Sequence, residues 1–233
     1  MTLTTAASAN GAHLIWTKDT AVVRFKRMRM LFAIAAVVAA PPPDVTQLVL
    51  RAAQVGTGYV EIRRTDGSGL KQVTLDLCGR FGYPSEGRRT ARLQVDYLKS
   101  RAKIGLSNEV VTYRPGGAAQ AMREVIAHAA SCPKGVIATG DPNVPKAQFT
   151  ITRIHDSKLL KGALAVKVRV RATVGGKKFD QTSYAVYQRA GNVLSGTYSF
   201  GVNTPAQLSF ALHAAEQSAR NLLRKHNPGS PTA

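Results

Sequence analysis

The sequence predicts an α+β fold: a mainly antiparallel, twisted sheet packed by two long helices. Three observations predict it. Apolar residues alternate with polar ones at period two in several short segments. Glycine-rich turns separate those segments. Two stretches, 118–131 and the one opening at Thr204, carry apolar residues at three- and four-residue steps. Strands followed by a helix occur twice, which suggests a possible (ββββα)x2 arrangement. Leu106-Ser107 before Thr112-Tyr113 loosely echoes Leu194-Ser195 before Thr197-Tyr198, although the spacings differ.

Taken in order, Asp44 is placed to cap a short helix over 45–53. Residues 59–64 and 72–77 read as two strands joined by the turn composition Asp66-Gly67-Ser68-Gly69; in the second, Val73, Leu75 and Leu77 share one face. Residues 90–99 follow, with Leu93, Val95 and Tyr97 alternating, and then 108–114, stopped by Pro115-Gly116-Gly117. The first long helix spans 118–131 and ends at Cys132-Pro133. A connector rich in Pro and Gly, 133–147, leads to a strand over 148–154.

The clearest strand is 163–174, with Leu164, Val166, Val168, Val170, Ala172 and Val174 on one face and Lys167, Arg169, Arg171 and Thr173 on the other. Gly175-Gly176 is a hairpin turn, returning into 178–188, and Ala190-Gly191-Asn192 turns into 193–200. Thr204-Pro205-Ala206-Gln207 opens the last helix as capping residue, first-turn Pro and capping-box Gln. Its apolar stripe is Leu208, Ala211, Leu212, Ala215, Ala219 and Leu222; Arg220, Arg224 and Lys225 suit the negative end of its dipole, and Asn227-Pro228-Gly229 ends it. The organisation expected is a leader over 1–40, a single domain over 44–226 and a mobile tail over 227–233.

Export is the first functional expectation. Arg24, Lys26, Arg27 and Arg29 precede the uncharged apolar run 31–40, and Pro41-Pro42-Pro43 ends it. That is the layout of a secretory signal, here 24–40. The run is too short for a hydrocarbon core, which needs roughly 20 residues, so no stable transmembrane span is expected. Residues 1–23 make an unusually long head; Met28 or Met30 gives a shorter one, and the competing reading is a buried element opening a cytosolic domain. Cys78 and Cys132 show no zinc spacing, and an even pair in an exported chain reads as a disulfide, with two buried thiols as the alternative.

A resemblance supports export. Asp76-Leu77-Cys78-Gly79, Tyr83-Pro84-Ser85-Glu86, Leu106-Ser107-Asn108-Glu109-Val110-Val111 and Cys132-Pro133, with the signal-like segment, resemble secreted, lipoprotein-like proteins of actinobacteria. More distantly, the layout is similar to the extracellular sensor domain of mycobacterial serine/threonine kinases. The resemblance implies an α+β fold with a ligand-binding cleft; that family carries two disulfides, whereas one is possible here.

Chemistry is sparse. There is no nucleophile elbow, no phosphate-cradling loop and no ligand spacing among His13, His128, His155, His213 and His226. No paired carboxylates stand out, Glu86 and Asp96 being one pair among many. No catalytic residue, metal or cofactor is therefore assigned. Formal net charge is +19, from 32 Lys and Arg against 13 Asp and Glu, which attracts polyanions. Lys167, Arg169 and Arg171 are the candidate binding residues, three cations about 6–7 Å apart on one strand face; the competing reading is a solvated sheet face. That strand has no aromatic residue and the chain is expected outside the cytoplasm, so no nucleic acid is expected. Tyr97, Tyr113, Tyr184, Tyr187 and Tyr198 are candidates for a cleft, with core packing as the competing role. The expected function is an exported, non-catalytic, ligand-binding or sensor-like envelope protein recognising an anionic or small amphipathic partner. The alternatives are a secreted hydrolase whose residues converge only in the fold and a structural or interaction protein of the envelope.

Overall fold

A computed structural model describes residues 44–226 apart from 64, 73, 80–81, 101–103, 140–143 and 202–203. The leader 1–40 with its signal-like segment, His13, the proline run and the tail 227–233 lie outside the described residues. The period-two segments become β1 (Val60–Arg63), β2 (Arg89–Leu98), β3 (Ile104–Tyr113), β4 (Val136–Ala138), β5 (Lys146–Ile154), β6 (Leu164–Val174), β7 (Lys177–Ala190) and β8 (Val193–Gly201). They form one sheet in the order β1-β2-β3-β8-β7-β6-β5-β4. Every neighbouring pair is antiparallel.

The helices are α1 (Ala52–Val55), α2 (Gly117–Ala130) and α3 (Pro205–His226). Consecutive strand residues point to opposite faces, and the two long helices take opposite sets. Ala118, Ala121, Met122 and Val125 of α2 pack with Val111, Leu164, Val166, Ala185, Tyr187 and Leu194. Ala214, Ala215 and Leu222 of α3 pack with the intervening residues Val110, Val193, Ala165 and Val186. The sheet is therefore the middle of three layers, with α2 on one side and α3 on the other.

Four sequence expectations change. The described residues of 72–77 form no strand: the N–H groups of Thr74 and Leu75 donate to Glu86 Oε1 at 2.8 and 3.2 Å, so they are not offered to a neighbouring strand. Leu75 and Leu77 instead go into the core beneath α2, and Leu77–Gly79 is a 3-10 turn with Cys78 at φ 58°. With β4 gained from the supposed connector, among the described residues three strands precede α2 and five lie between α2 and α3, rather than four and four. The segment 45–53 splits into a 3-10 turn, Val45–Gln47, capped by Asp44, and α1. Between them Leu48, Val49 and Leu50 are buried, which a single continuous helix would not allow.

The fourth change is at the start of α3. The N–H of Gln207 donates to Thr204 Oγ1 at 3.3 Å as expected, but its side-chain amide donates to the Thr182 carbonyl at 3.2 Å instead of closing a capping box. Burial of Gln207 against β7 explains the choice. The helix turns its seam accordingly: Ser218 and Asn221 are buried beside Ala211, Ala215, Ala219 and Leu222, while Leu208 and Leu212 are only half-buried. Ser218 shares a hydrogen bond with Ser195 at 2.7 Å, and Asn221 donates to the Leu48 and Val49 carbonyls.

Cys78 and Cys132 form a disulfide, with Cα atoms 5.8 Å apart. It ties the residues just past α2 to the 3-10 turn that replaces the expected second strand. No described helix is long and apolar enough to cross a membrane.

Candidate functional site: an open cationic sheet face

Lys167, Arg169 and Arg171 all project from the α3 side of β6. Helix α3 lies over β7 and β8 and reaches β6 at Ala165, so among the described residues no helix lies over Lys167, Arg169 and Arg171. Register defines three rows across it: Thr152, Lys167 and Tyr184; then Thr150, Arg169 and Thr182; then Gln148, Arg171 and Asp180. In the next row Lys178 stands opposite Thr173, and Lys146, two residues before Gln148 on the same face, adds a further cation.

One acid sits in this ladder. Asp180 accepts two hydrogen bonds from Arg169, from Nε at 2.8 Å and from a terminal guanidinium nitrogen at 2.5 Å. Its Oδ2 also lies 3.5 Å from Arg171 Nε. All three side chains remain exposed, at 43, 46 and 53 % for Arg169, Asp180 and Arg171. The Arg169 hydrogen bonds hold the Asp180 carboxyl below its usual range, so it stays ionised. One carboxylate among Lys146, Lys167, Arg169, Arg171 and Lys178 leaves the face strongly positive. Beside it runs an open groove of about 660 Å³, lined by Val136, Lys146, Arg171, Lys178, Phe179 and Asp180 among others.

The opposite face holds a polar cluster that sequence reasoning missed. Glu109 stands opposite Gly196 in the β3–β8 register. Tyr198 folds its ring back over Gly196, where a Cβ would collide with the phenol oxygen. Its hydroxyl thereby donates to Glu109 Oε2 at 3.3 Å. The other carboxylate oxygen accepts from Arg92 Nε, and both side chains are 3 % exposed. Arg92 also donates to the Gly67 carbonyl at 2.9 Å and to Gln94 Oε1 at 2.6 Å.

Desolvation pushes the Glu109 pKa up to about 7, against the opposing pull of Arg92. Asp76 retains accessible surface while protein crowds its carboxyl; that crowding, and then the Glu86 charge, raise its pKa as well. Asp76 thus feels the like charges of both Glu86 and Glu109. The signal for this cluster was a single one: Glu109 is a charge flanked by Asn108 and by Val110-Val111 in an otherwise buried strand.

The tyrosines do not line one cleft. Tyr97 and Tyr184 point to the α3 side, whereas Tyr113, Tyr187 and Tyr198 point to the α2 side. Tyr187 and Tyr198 meet edge to face at 5.6 Å, and all but Tyr198 are buried in the core. His128 packs its ring on Tyr83 at 4.4 Å between centroids; His155 and His213 are exposed. Among the described residues no three His, Cys, Asp or Glu side chains group as metal ligands.

Fold and face together define a three-layer α+β module with an open cationic flank. Among solved structures it is similar to the extracellular domain of PknH from Mycobacterium tuberculosis, at 14 % identity and a TM-score of 0.47 over 75 % of this chain and 94 % of that one. It is also similar to the Rv0999 ortholog from Mycobacterium smegmatis, at 8 % identity and a TM-score of 0.36 over 74 % of this chain and 96 % of that one. The first of these is a mycobacterial extracellular domain, as the distant resemblance in the sequence expects. No protein-family model matches the chain, and no curated protein matches it in sequence.

Proposed function

We propose that this chain is an extracytoplasmic, sensor-like binding module that takes an anionic partner on the cationic face of β5, β6 and β7. The observation that carries the reading is the placement of Lys167, Arg169 and Arg171 in successive rows of a sheet face that α3 does not cover. Cations presented at strand spacing from a stiff sheet match repeated acidic groups without ordering a loop, which lowers the entropic cost of binding. The disulfide supports a location outside the reducing cytoplasm, and the signal-like segment 24–40 supports export.

The binding half is tested by heparin chromatography as a function of salt. Arg169→Ala is expected to elute earlier and with a shallower salt dependence, because fewer counterions are displaced. Unchanged elution contradicts the reading. The export half is tested by N-terminal sequencing of protein recovered from the producing culture. A start near Ala40 is expected; a mature chain that retains Trp16 contradicts it.

A further inference from the structure

We infer that the end of this face, the β6–β7 hairpin tip with β4 beside it, docks on an anionic lipid bilayer. The inference rests on the anionic-partner reading and narrows it to one surface. Every residue from Thr173 to Asp180 is exposed. The two-residue turn Gly175-Gly176, at φ 54° and 77°, lets the hairpin reverse tightly at its tip. Val174 pairs with Lys177, Thr173 with Lys178 and Ala172 with Phe179. By alternation Val174 and Phe179 share one side of the hairpin, while Lys178 and Arg171 share the other.

Single exposed apolar residues on a soluble domain need no explanation. Here the exposures are large: Val136 is 68 %, Phe179 41 % and Val174 37 % accessible. Val136 and Phe179 line the same groove as Lys146, Arg171 and Lys178. An apolar tip collared by cations matches the membrane interface, where aromatic and aliphatic groups enter the acyl boundary and lysines stay among the headgroups. Charge decides between this end and the other one. Val60, Ile62 and Leu98 are also exposed, at 57, 41 and 40 %, but two acids, Glu61 and Asp96, stand among them, whereas the single acid of this end, Asp180, is held by Arg169 among Lys146, Arg171, Lys177 and Lys178.

The test is co-sedimentation of the full chain with phosphatidylcholine vesicles, and with vesicles of equal parts phosphatidylcholine and phosphatidylglycerol. Because the chain also carries the apolar run 31–40, the readout is the difference between variants in the same full chain. Lys177→Glu with Lys178→Glu is expected to weaken binding to the anionic vesicles by at least about fivefold per charge removed. Val174→Ser with Phe179→Ser is expected to weaken it by about tenfold. Both pairs are exposed, so folding is not at risk. Wild-type binding that needs phosphatidylglycerol and falls in both variants supports the inference. Variants that bind vesicles like wild type, or binding equal on neutral vesicles, overturn it. If Arg169→Ala still loses heparin in that case, the anionic-partner reading stands without the bilayer. A wild-type chain that binds neither heparin nor anionic vesicles removes both.

Discussion

Two diagonal cross-strand pairs in the same sheet make opposite use of the same chemistry. Arg92 on β2 reaches Glu109, whose register partner is Gln94; Arg169 on β6 reaches Asp180, whose register partner is Arg171. Diagonal neighbours lie within reach of a long side chain in any antiparallel sheet. The first pair is 3 % exposed at both ends, while the second is 43 and 46 % exposed. Covering is what differs. On the α2 side Leu75, Leu77 and Tyr83 pack with Val111 and Tyr113 of β3 and the Gly67 carbonyl accepts from Arg92, whereas on the α3 side the helix reaches β6 at Ala165 and leaves Arg169 and Asp180 exposed. Alternation writes a polar face; the chain segments packed on top decide whether that face is structural or available.

The two pairs differ most in what their removal costs. Glu109→Ala strands the Arg92 guanidinium and is expected to cost about 3–5 kcal/mol. Asp180→Ala is expected to leave the unfolding midpoint unchanged, since exposed pairs contribute little. Urea unfolding of both variants checks the contrast, and equal losses contradict it. The disulfide gives the next effect. Replacing Cys78 and Cys132 by Ala is expected to cost about 4 kcal/mol by releasing the loop from the unfolded chain, and a loss below about 1 kcal/mol would show the 3-10 turn to be held by Leu75 and Leu77 alone.

The acids of the two pairs also shift in opposite directions. Glu109 is held up to about 7 in the folded chain against an ordinary 4.5. Its contribution to stability is therefore fully present below about pH 4.5 and is lost as pH rises through 7, because the folded state must then bury an ionised carboxylate. The full span of that loss is about 3 kcal/mol. Asp76 shifts in the same direction. Asp180 shifts the other way, and its small contribution grows as pH rises. Glu109→Gln is expected to flatten the stability profile between about pH 4.5 and 7, and an unaltered profile would assign the slope to Asp76. The smallest effect is Asp180→Asn, which removes the one acid in the cationic rows. It is expected to delay heparin elution with no change in unfolding; earlier elution would show that Asp180 orients the guanidinium rather than neutralising it.

Much of the sheet was legible because alternation is a local signal. Residues 163–174, the Gly175-Gly176 turn and the helix near 118–131 appear within a residue or two of their predicted bounds. Residues 72–77 have the same alternation, yet the described ones among them form no strand, because a side chain twelve residues from Thr74, Glu86, takes the N–H groups of Thr74 and Leu75. Local patterns do not register such a competitor. Lys167, Arg169 and Arg171 were legible as one face, but their partner Asp180 comes from the next strand and depends on register. The Arg92–Glu109–Tyr198 cluster was not legible. It requires the β3–β8 pairing of residues nearly ninety apart, and the small Gly196 that lets Tyr198 fold back.

The central claim is that position, and not net charge, makes the cationic face a binding surface. It is tested by comparing two triple variants of equal charge on heparin across a salt series. One removes Lys167, Arg169 and Arg171; the other removes Arg123, Lys158 and Arg189, which are exposed elsewhere. The account predicts that the first loses most of its retention and salt dependence while the second stays close to wild type. Equal losses in the two variants would contradict it.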